Sequence, residues 1–187
     1  MEEIKKLLVD NASIYVDVDL TNIDTVNIST LNDKFLGATK GGLEFEAKPT
    51  VREIEFDGKM DRKIKGAERV TGWDVQASTE ALEFSDKVLS LSLFAKDSSI
   101  TSTKYDVYKG VQGMLSDSNY HNIIIVGTET GTSTPVIIEL KNIINTDGFT
   151  FTAEELNEAS YSMVLVPRYA MGSSEVPFSI YYPKDQA

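Results

Sequence analysis

The sequence predicts a mainly β fold, an antiparallel β-sandwich or barrel with one packed α-helix. Three observations carry this. Apolar and polar residues alternate with period two through most of the chain. Segments rich in Gly, Asn, Thr and Ser punctuate the alternating runs. One stretch, residues 85–96, also fits a short capped helix.

The elements follow in order. Ile14, Val16 and Val18 alternate with Tyr15 and Asp17, as in a half-buried strand. Residues 21–33 (TNIDTVNISTLND) are polar and read as a long connection. Gly41-Gly42 supplies the backbone freedom of a turn or bulge. Leu43, Phe45 and Ala47 then alternate with Glu44, Glu46 and Lys48; after Pro49, Ile54 and Phe56 alternate with Glu53, Glu55 and Asp57. Proline confines this region to a sheet edge, a bend or a hairpin turn. Residues 58–70 (GKMDRKIKGAERV) read as a charged loop, and Trp73, Val75, Ala77 and Thr79 as the next strand. Further strands are expected at 120–128, 135–141, 159–169 and 176–182, the first two joined as a hairpin. In residues 85–96, Leu89, Leu91 and Leu93 alternate as in a strand, while Ser85 as N-cap and Asp86 in the first turn favour a helix. Residues 152–155 (TAEE) match a capping box with room for about one turn. The whole chain, 1–187, is expected to form a single domain.

Composition narrows the chemistry. The 187 residues include no cysteine, which excludes disulfides, thiolate metal sites and cysteine nucleophiles. A single histidine excludes a His-rich metal cluster within one chain. With 18 basic and 29 acidic residues the net charge is −11, which opposes binding by phosphate neutralisation or docking on anionic lipid. The opening residues lack the apolar core of a signal peptide, and no window is apolar enough to span a membrane. The expected setting is a reducing cytoplasm.

Catalytic motifs are missing. Residues 127–133 (GTETGTS) are Gly-rich but lack the lysine and following helix of a phosphate loop, and read as a hairpin connection. His121 has no Gly-x-Ser-x-Gly elbow to serve, and a structural or exposed histidine is the expectation. Asp17, Asp19 and Asp24 have the wrong spacing for a calcium loop. Trp73 alternates with apolar neighbours and reads as core rather than as a sugar platform. No catalytic residue, metal or cofactor is expected.

Charge arrangement is the informative feature. Lys59, Arg62, Lys63, Lys65 and Arg69 stand against Asp61 and Glu68 in one loop, directly after Glu44, Glu46, Glu53, Glu55 and Asp57. A solvated loop is one reading. The other is a head-to-tail contact between copies, a basic loop on an acidic surface, which builds rings or filaments. If the two acidic runs pair as a hairpin, their four glutamates share one surface, while Leu43, Phe45, Ile54 and Phe56 bury against the sandwich. That surface then faces either a wet channel or the next copy's basic loop.

The run 36–58 (LGATKGGLEFEAKPTVREIEFDG) resembles the N-terminal signature of major tail proteins, the tail tube proteins of long-tailed bacteriophages infecting Gram-positive bacteria. Ile64-Lys65-Gly66, residues 122–127 (NIIIVG), 135–142 (PVIIELKN) and 177–183 (PFSIYYP) fit the same order, so the resemblance runs from Ala12 to Pro183. It implies a two-sheet sandwich with one helix at its side, and favours the helical reading of residues 85–96. It also implies homo-hexameric rings that stack into a tube around a tape-measure protein, between tail tip and tail terminator proteins. DNA passes through such a tube without specific binding, and the subunit, made in the host cytoplasm, ends in the virion. An acidic wall suits a conduit that must not hold its cargo. Residues 21–33 depart from the family pattern as an insertion, an outer decoration or an added ring contact, and no appended immunoglobulin-like domain is expected. The competing readings are the inner tube of a contractile tail, phage-like bacteriocin or secretion needle, and, more distantly, a β-sandwich carbohydrate-binding module.

Overall fold

The computed structural model describes residues 8–18, 20, 23, 28–57, 62–129, 134–153, 155 and 158–184. Among them are ten strands and one α-helix: β1 (Leu8–Val16), β2 (Thr39–Glu53), β3 (Glu68–Ala81), α1 (Asp86–Leu91), β4 (Phe94–Lys96), β5 (Tyr108–Gly110), β6 (His121–Glu129), β7 (Val136–Asn145), β8 (Thr150–Thr152), β9 (Ser160–Val166) and β10 (Phe178–Tyr181). Strands β4 and β5 pair only with each other. The rest form a continuous antiparallel array in the order β1-β6-β7-β9-β3-β2, with β10 on β7 and β8 on β9. The expected sandwich with a single helix is thus what the chain forms.

The array becomes a sandwich at β7. Its first part pairs with β6 and β10, and its last residues, Ile144 and Asn145, pair with β9 in the other layer. The change of layer falls at Asn142, whose φ is +53°. Asparagine tolerates this left-handed conformation better than most side chains, and Arg168 N–H donates to the Asn142 carbonyl at 3.1 Å. Between the layers lie Ile14, Ile123, Ile125, Leu140 and Ile143 from one side and Val75, Ala77, Met163 and Leu165 from the other. Burying each of these side chains larger than Ala77 contributes about 1.5–3 kcal/mol. Val88 and Leu91 of α1 join the same core. The helix starts where its cap predicts, with Val88 N–H donating to Ser85 Oγ at 3.4 Å. It is short because Leu93 turns to φ +62° and β4 begins at Phe94, so residues 85–96 hold both the helix and a strand.

The outer face of β6 is covered too. Ile124 and Val126 pack with Ile137, Val18 and Leu20, and Ile23, Ile28 and Leu31 close over them. Of the connection 21–33, the described residues Ile23, Ile28 and Leu31 therefore cover an apolar sheet face, with short 3-10 turns at Ile28–Thr30 and Asn32–Lys34. This is why residues 123–126 (IIIV) are apolar without alternation: both faces of β6 are buried.

Three expectations are corrected. The two acidic runs of residues 43–57 do not pair as a hairpin: β2 continues straight through Pro49, and its partner is β3. Proline is tolerated because β2 is an edge strand, where a missing N–H leaves no ladder bond unmade. Second, the charged loop ends sooner than expected, because Glu68, Arg69 and Val70 already belong to β3. Third, Thr152 ends β8 rather than capping a helix. Gly41 and Gly42, at φ +75° and +89°, form the expected bulge, between the pairs Lys40↔Glu80 and Leu43↔Thr79.

Candidate functional site

Beyond Pro49 and Trp73 the β2–β3 pair leaves the body as a two-stranded arm. Strand β9 pairs with β3 only along Ala77–Ala81. Past that point the Tyr169 hydroxyl takes over, accepting from Trp73 N–H at 2.9 Å. Trp73 packs edge-on against Phe178, with ring centroids 5.3 Å apart, and so belongs to the margin of the core as expected. The arm then continues alone through Thr50↔Gly72, Val51↔Val70, Arg52↔Arg69 and Glu53↔Glu68, with Thr71 as an extra residue on β3. Ile54 N–H donates to the Ala67 carbonyl at 2.7 Å and extends the pairing one step.

The arm's surface is unusual in two ways. Val51, Ile54, Phe56 and Val70 are 49%, 51%, 50% and 51% exposed. Ile54 and Phe56 therefore do not bury against the sandwich, contrary to expectation, because no second layer reaches them. The register also sets like charges opposite each other, Arg52 facing Arg69 and Glu53 facing Glu68. Directly opposed like charges weaken a strand pair. Alternation puts Val51 and Val70 on one face of the ribbon and Arg52 and Arg69 on the other.

The sequence-predicted basic residues fall as follows. Lys59 lies outside the described residues. Arg62, Lys63 and Lys65 are exposed in the connection at the arm's end, and Arg69 is exposed on β3. The acidic set is divided. Glu44 and Glu46 share one face of β2, with Glu44 opposite Ser78 and Glu46 opposite Gln76. Glu46 accepts from Gln76 Nε2 at 3.2 Å and also pairs with Lys48, and the Lys48–Glu46 hydrogen bond raises the pKa of the Lys48 ammonium above its ordinary range. Glu53 lies nine residues beyond Glu44, an odd step, so alternation puts it on the other face. Glu55 follows the end of β2 and is exposed. The four glutamates therefore do not form one surface.

Sequence reasoning missed a second constellation. His121, at the start of β6, points Nδ1 at Asp17 Oδ2, 3.0 Å away, and Nε2 at Ser90 Oγ on α1, 2.8 Å away. In the Nδ1-protonated tautomer of the neutral ring, the proton bonds the carboxylate and Nε2 accepts from the serine hydroxyl. These are the atom roles of a Ser-His-Asp triad. No local motif announces it, because positions 17, 90 and 121 meet only after folding. Two features oppose nucleophilic use. Ser90 lies within α1 rather than on an exposed strand-to-helix turn. The neighbouring cavity, about 200 Å3, is lined by Asp17, Val18, Leu20, Asn122 and Glu139 and so opens at the carboxylate end of the chain. What the three residues do is join α1, β6 and the exit of β1. Asp17 adds two further bonds, its N–H to the Asn122 carbonyl at 2.6 Å and its Oδ1 from Asn122 N–H at 3.3 Å.

At the opposite end of β3 lies an aromatic cluster. Phe84 and Phe149 both stack on Tyr161, at 5.4 and 5.5 Å, and Phe94 meets Phe149 edge-on at 5.8 Å. Among the described residues no group of acidic or histidine side chains is placed to hold a metal ion, and no helix is long and apolar enough to cross a membrane. No protein-family model matches the chain, and no curated protein matches it.

Proposed function

We propose that this chain is the subunit of a self-assembling tube, the tail tube of a long-tailed bacteriophage, in which hexameric rings stack into a conduit for DNA. The observation that carries the reading is the arm, a ribbon with half-exposed valines, isoleucine and phenylalanine and a basic connection at its end. A monomer leaves these groups unsatisfied, and a neighbouring subunit covers them. The sandwich with one side helix and the resemblance of residues 36–58 to tail tube proteins point the same way. In this reading the protein is not an enzyme, and the Ser90–His121–Asp17 chain is a clamp that holds the helix to the sheet. The tape-measure, tail tip and terminator proteins are its partners in the virion.

Negative-stain electron microscopy of concentrated protein tests this. Six-fold rings or tubes are the expected result, favoured by salt because each copy carries −11 and added ions screen its charge beyond about 8 Å at physiological strength. Replacing Lys59, Arg62, Lys63 and Lys65 by Ser should leave the thermal melt in place and abolish stacking. Normal tubes from that variant would remove the basic connection from the contact. A sheath around the tube in particles would favour the contractile-tail alternative. Covalent labelling of Ser90 by a fluorophosphonate would overturn the non-enzymatic reading.

A further inference from the structure

The aromatic cluster beyond the end of β3 borders an open groove of about 390 Å3. Its aromatic walls come from four places in the chain: Phe84 before α1, Phe94 on β4, Tyr108 on β5 and Phe149 just before β8. The rings meet at angles. Phe94 stands edge-on to Phe149, with the planes 75° apart, and Phe84 is tilted 52° to Phe149. They enclose a space rather than line up as one flat platform. Phe84 is nevertheless 58% exposed, so one wall is left wet. Among the described residues the charged lining is Asp86 and Asp106, with no cation.

We propose that this groove binds a small alkylated ammonium group, a cation with an apolar body. Each part of such a guest has a counterpart here. An aromatic face is the negative end of the ring quadrupole and attracts a cation held over it. The alkyl groups displace water from the rings, and the two carboxylates supply the opposite charge. A neutral apolar guest would use the rings but bury the carboxylates without a partner, which costs free energy. An anion would meet two like charges. A sugar stacks flat on a broad aromatic face, which walls set at an angle do not offer.

The rim already stabilises positive charge. Lys96 pairs with Asp106 at 2.7 Å, and its ammonium is raised above the ordinary range, first by that bond and also by the nearby charge of Asp86. The pair is exposed on both sides, so a second cation can share it at little cost. Asp86 is the freer carboxylate. It accepts from Lys87 N–H at 3.0 Å and forms no ion pair among the described residues. The inference goes beyond the tube reading and does not depend on it, because it concerns what the single subunit binds.

Choline and its neutral isostere 3,3-dimethyl-1-butanol, in which carbon replaces the charged nitrogen, separate the contributions. Each is titrated into the unassembled subunit at constant ionic strength, set with sodium chloride, while the methyl resonances of Leu89 in the groove lining are followed by NMR. The expected result is a saturable shift with choline, at least about tenfold tighter than with the isostere. Phe84→Leu keeps apolar bulk and removes a ring, and should weaken choline while leaving the isostere and the thermal melt unchanged. Asp86→Asn should do the same through charge. Equal affinity for the two compounds would make the groove merely apolar and overturn the inference. No shift of Leu89 with choline up to about 50 mM would overturn it as well. So would a larger response to methyl glucoside, which would assign the groove to sugars. The comparison of ligands on the unaltered chain decides even where a variant fails to fold. None of these outcomes touches the tube reading, which imaging decides separately.

Discussion

Strands β2 and β3 run side by side through two environments, and the contrast between their halves is instructive. In the inner half, Leu43, Phe45 and Ala47 lie against a core that includes Val75 and Ala77. A few residues further on, Val51 and Val70 face each other in the same ladder and stay half exposed. Residue type and pairing are alike in the two halves. The difference is the cover: β9 backs β3 along Ala77–Ala81, and only the Tyr169 hydroxyl extends beyond it. An apolar stripe therefore states which side chains share a face, while the second layer decides whether that face is an interior or an exposed surface.

Truncation breaks the inner half most severely. Leu140 is fully buried between Ile123 and Phe178. Leu140→Ala should cost about 3 kcal/mol, as large-to-small core changes do, read from the urea midpoint. Asn145 comes next. It is 3% exposed, its amide donates to Ser92 Oγ at 3.0 Å and to the Gly148 carbonyl, and its Oδ1 accepts from Val164 N–H at 2.9 Å and Asp147 N–H at 3.1 Å. Asn145→Ala strands these groups and should cost about 2–3 kcal/mol. The outer half should respond in the opposite sense. The double change Val51→Ser and Val70→Ser should move stability by about 0.5 kcal/mol or less, yet reduce assembly strongly in light scattering. A loss of several kcal/mol from the same pair would show that the arm is packed in the monomer and erase the contrast.

The smallest effect belongs to an ion pair at the β4–β5 hairpin. Lys109 pairs with Asp97 at 2.6 Å, and Ser99 donates to the same carboxylate, so Asp97 is held well below the ordinary carboxylate range. A lowered folded value contributes stability above the unfolded value near 4, and that contribution fades as pH falls through the folded one. The difference in melting temperature between the wild type and Asp97→Asn should therefore be largest near pH 7 and shrink from about pH 5 downward. A gap that widens on acidification would reverse the sign.

How far the sequence carried this is visible in particular residues. Alternation placed Ile14, Val16, Val75 and Ala77 in the core, and the Ser85 cap located the helix. Pro49 was correctly tied to an edge, but the same residue suggested a hairpin that does not exist, because nothing local states that an edge strand continues. The exposure of Ile54 and Phe56 depends on where β9 stops, more than a hundred residues later. Asp17 and His121 stand out singly in the sequence, Ser90 does not, and only the meeting of β1, α1 and β6 makes them a chain of hydrogen bonds. The paired valines of the arm carry no separate signal, since a valine at a strand position reads the same in a core and on an exposed ribbon.

The passage of β7 from one layer to the other at Asn142 has a thermodynamic consequence. A sandwich whose sheets touch only through side chains can open like a book, each sheet keeping its own ladder. Here one strand is hydrogen-bonded to β6 and β10 in one layer and to β9 in the other, so neither ladder can melt without exposing its neighbour's edge. Amide hydrogens of Ile125 and Leu165, in different layers, should then exchange with solvent through one shared opening and with one free energy, the mark of a single cooperative unit.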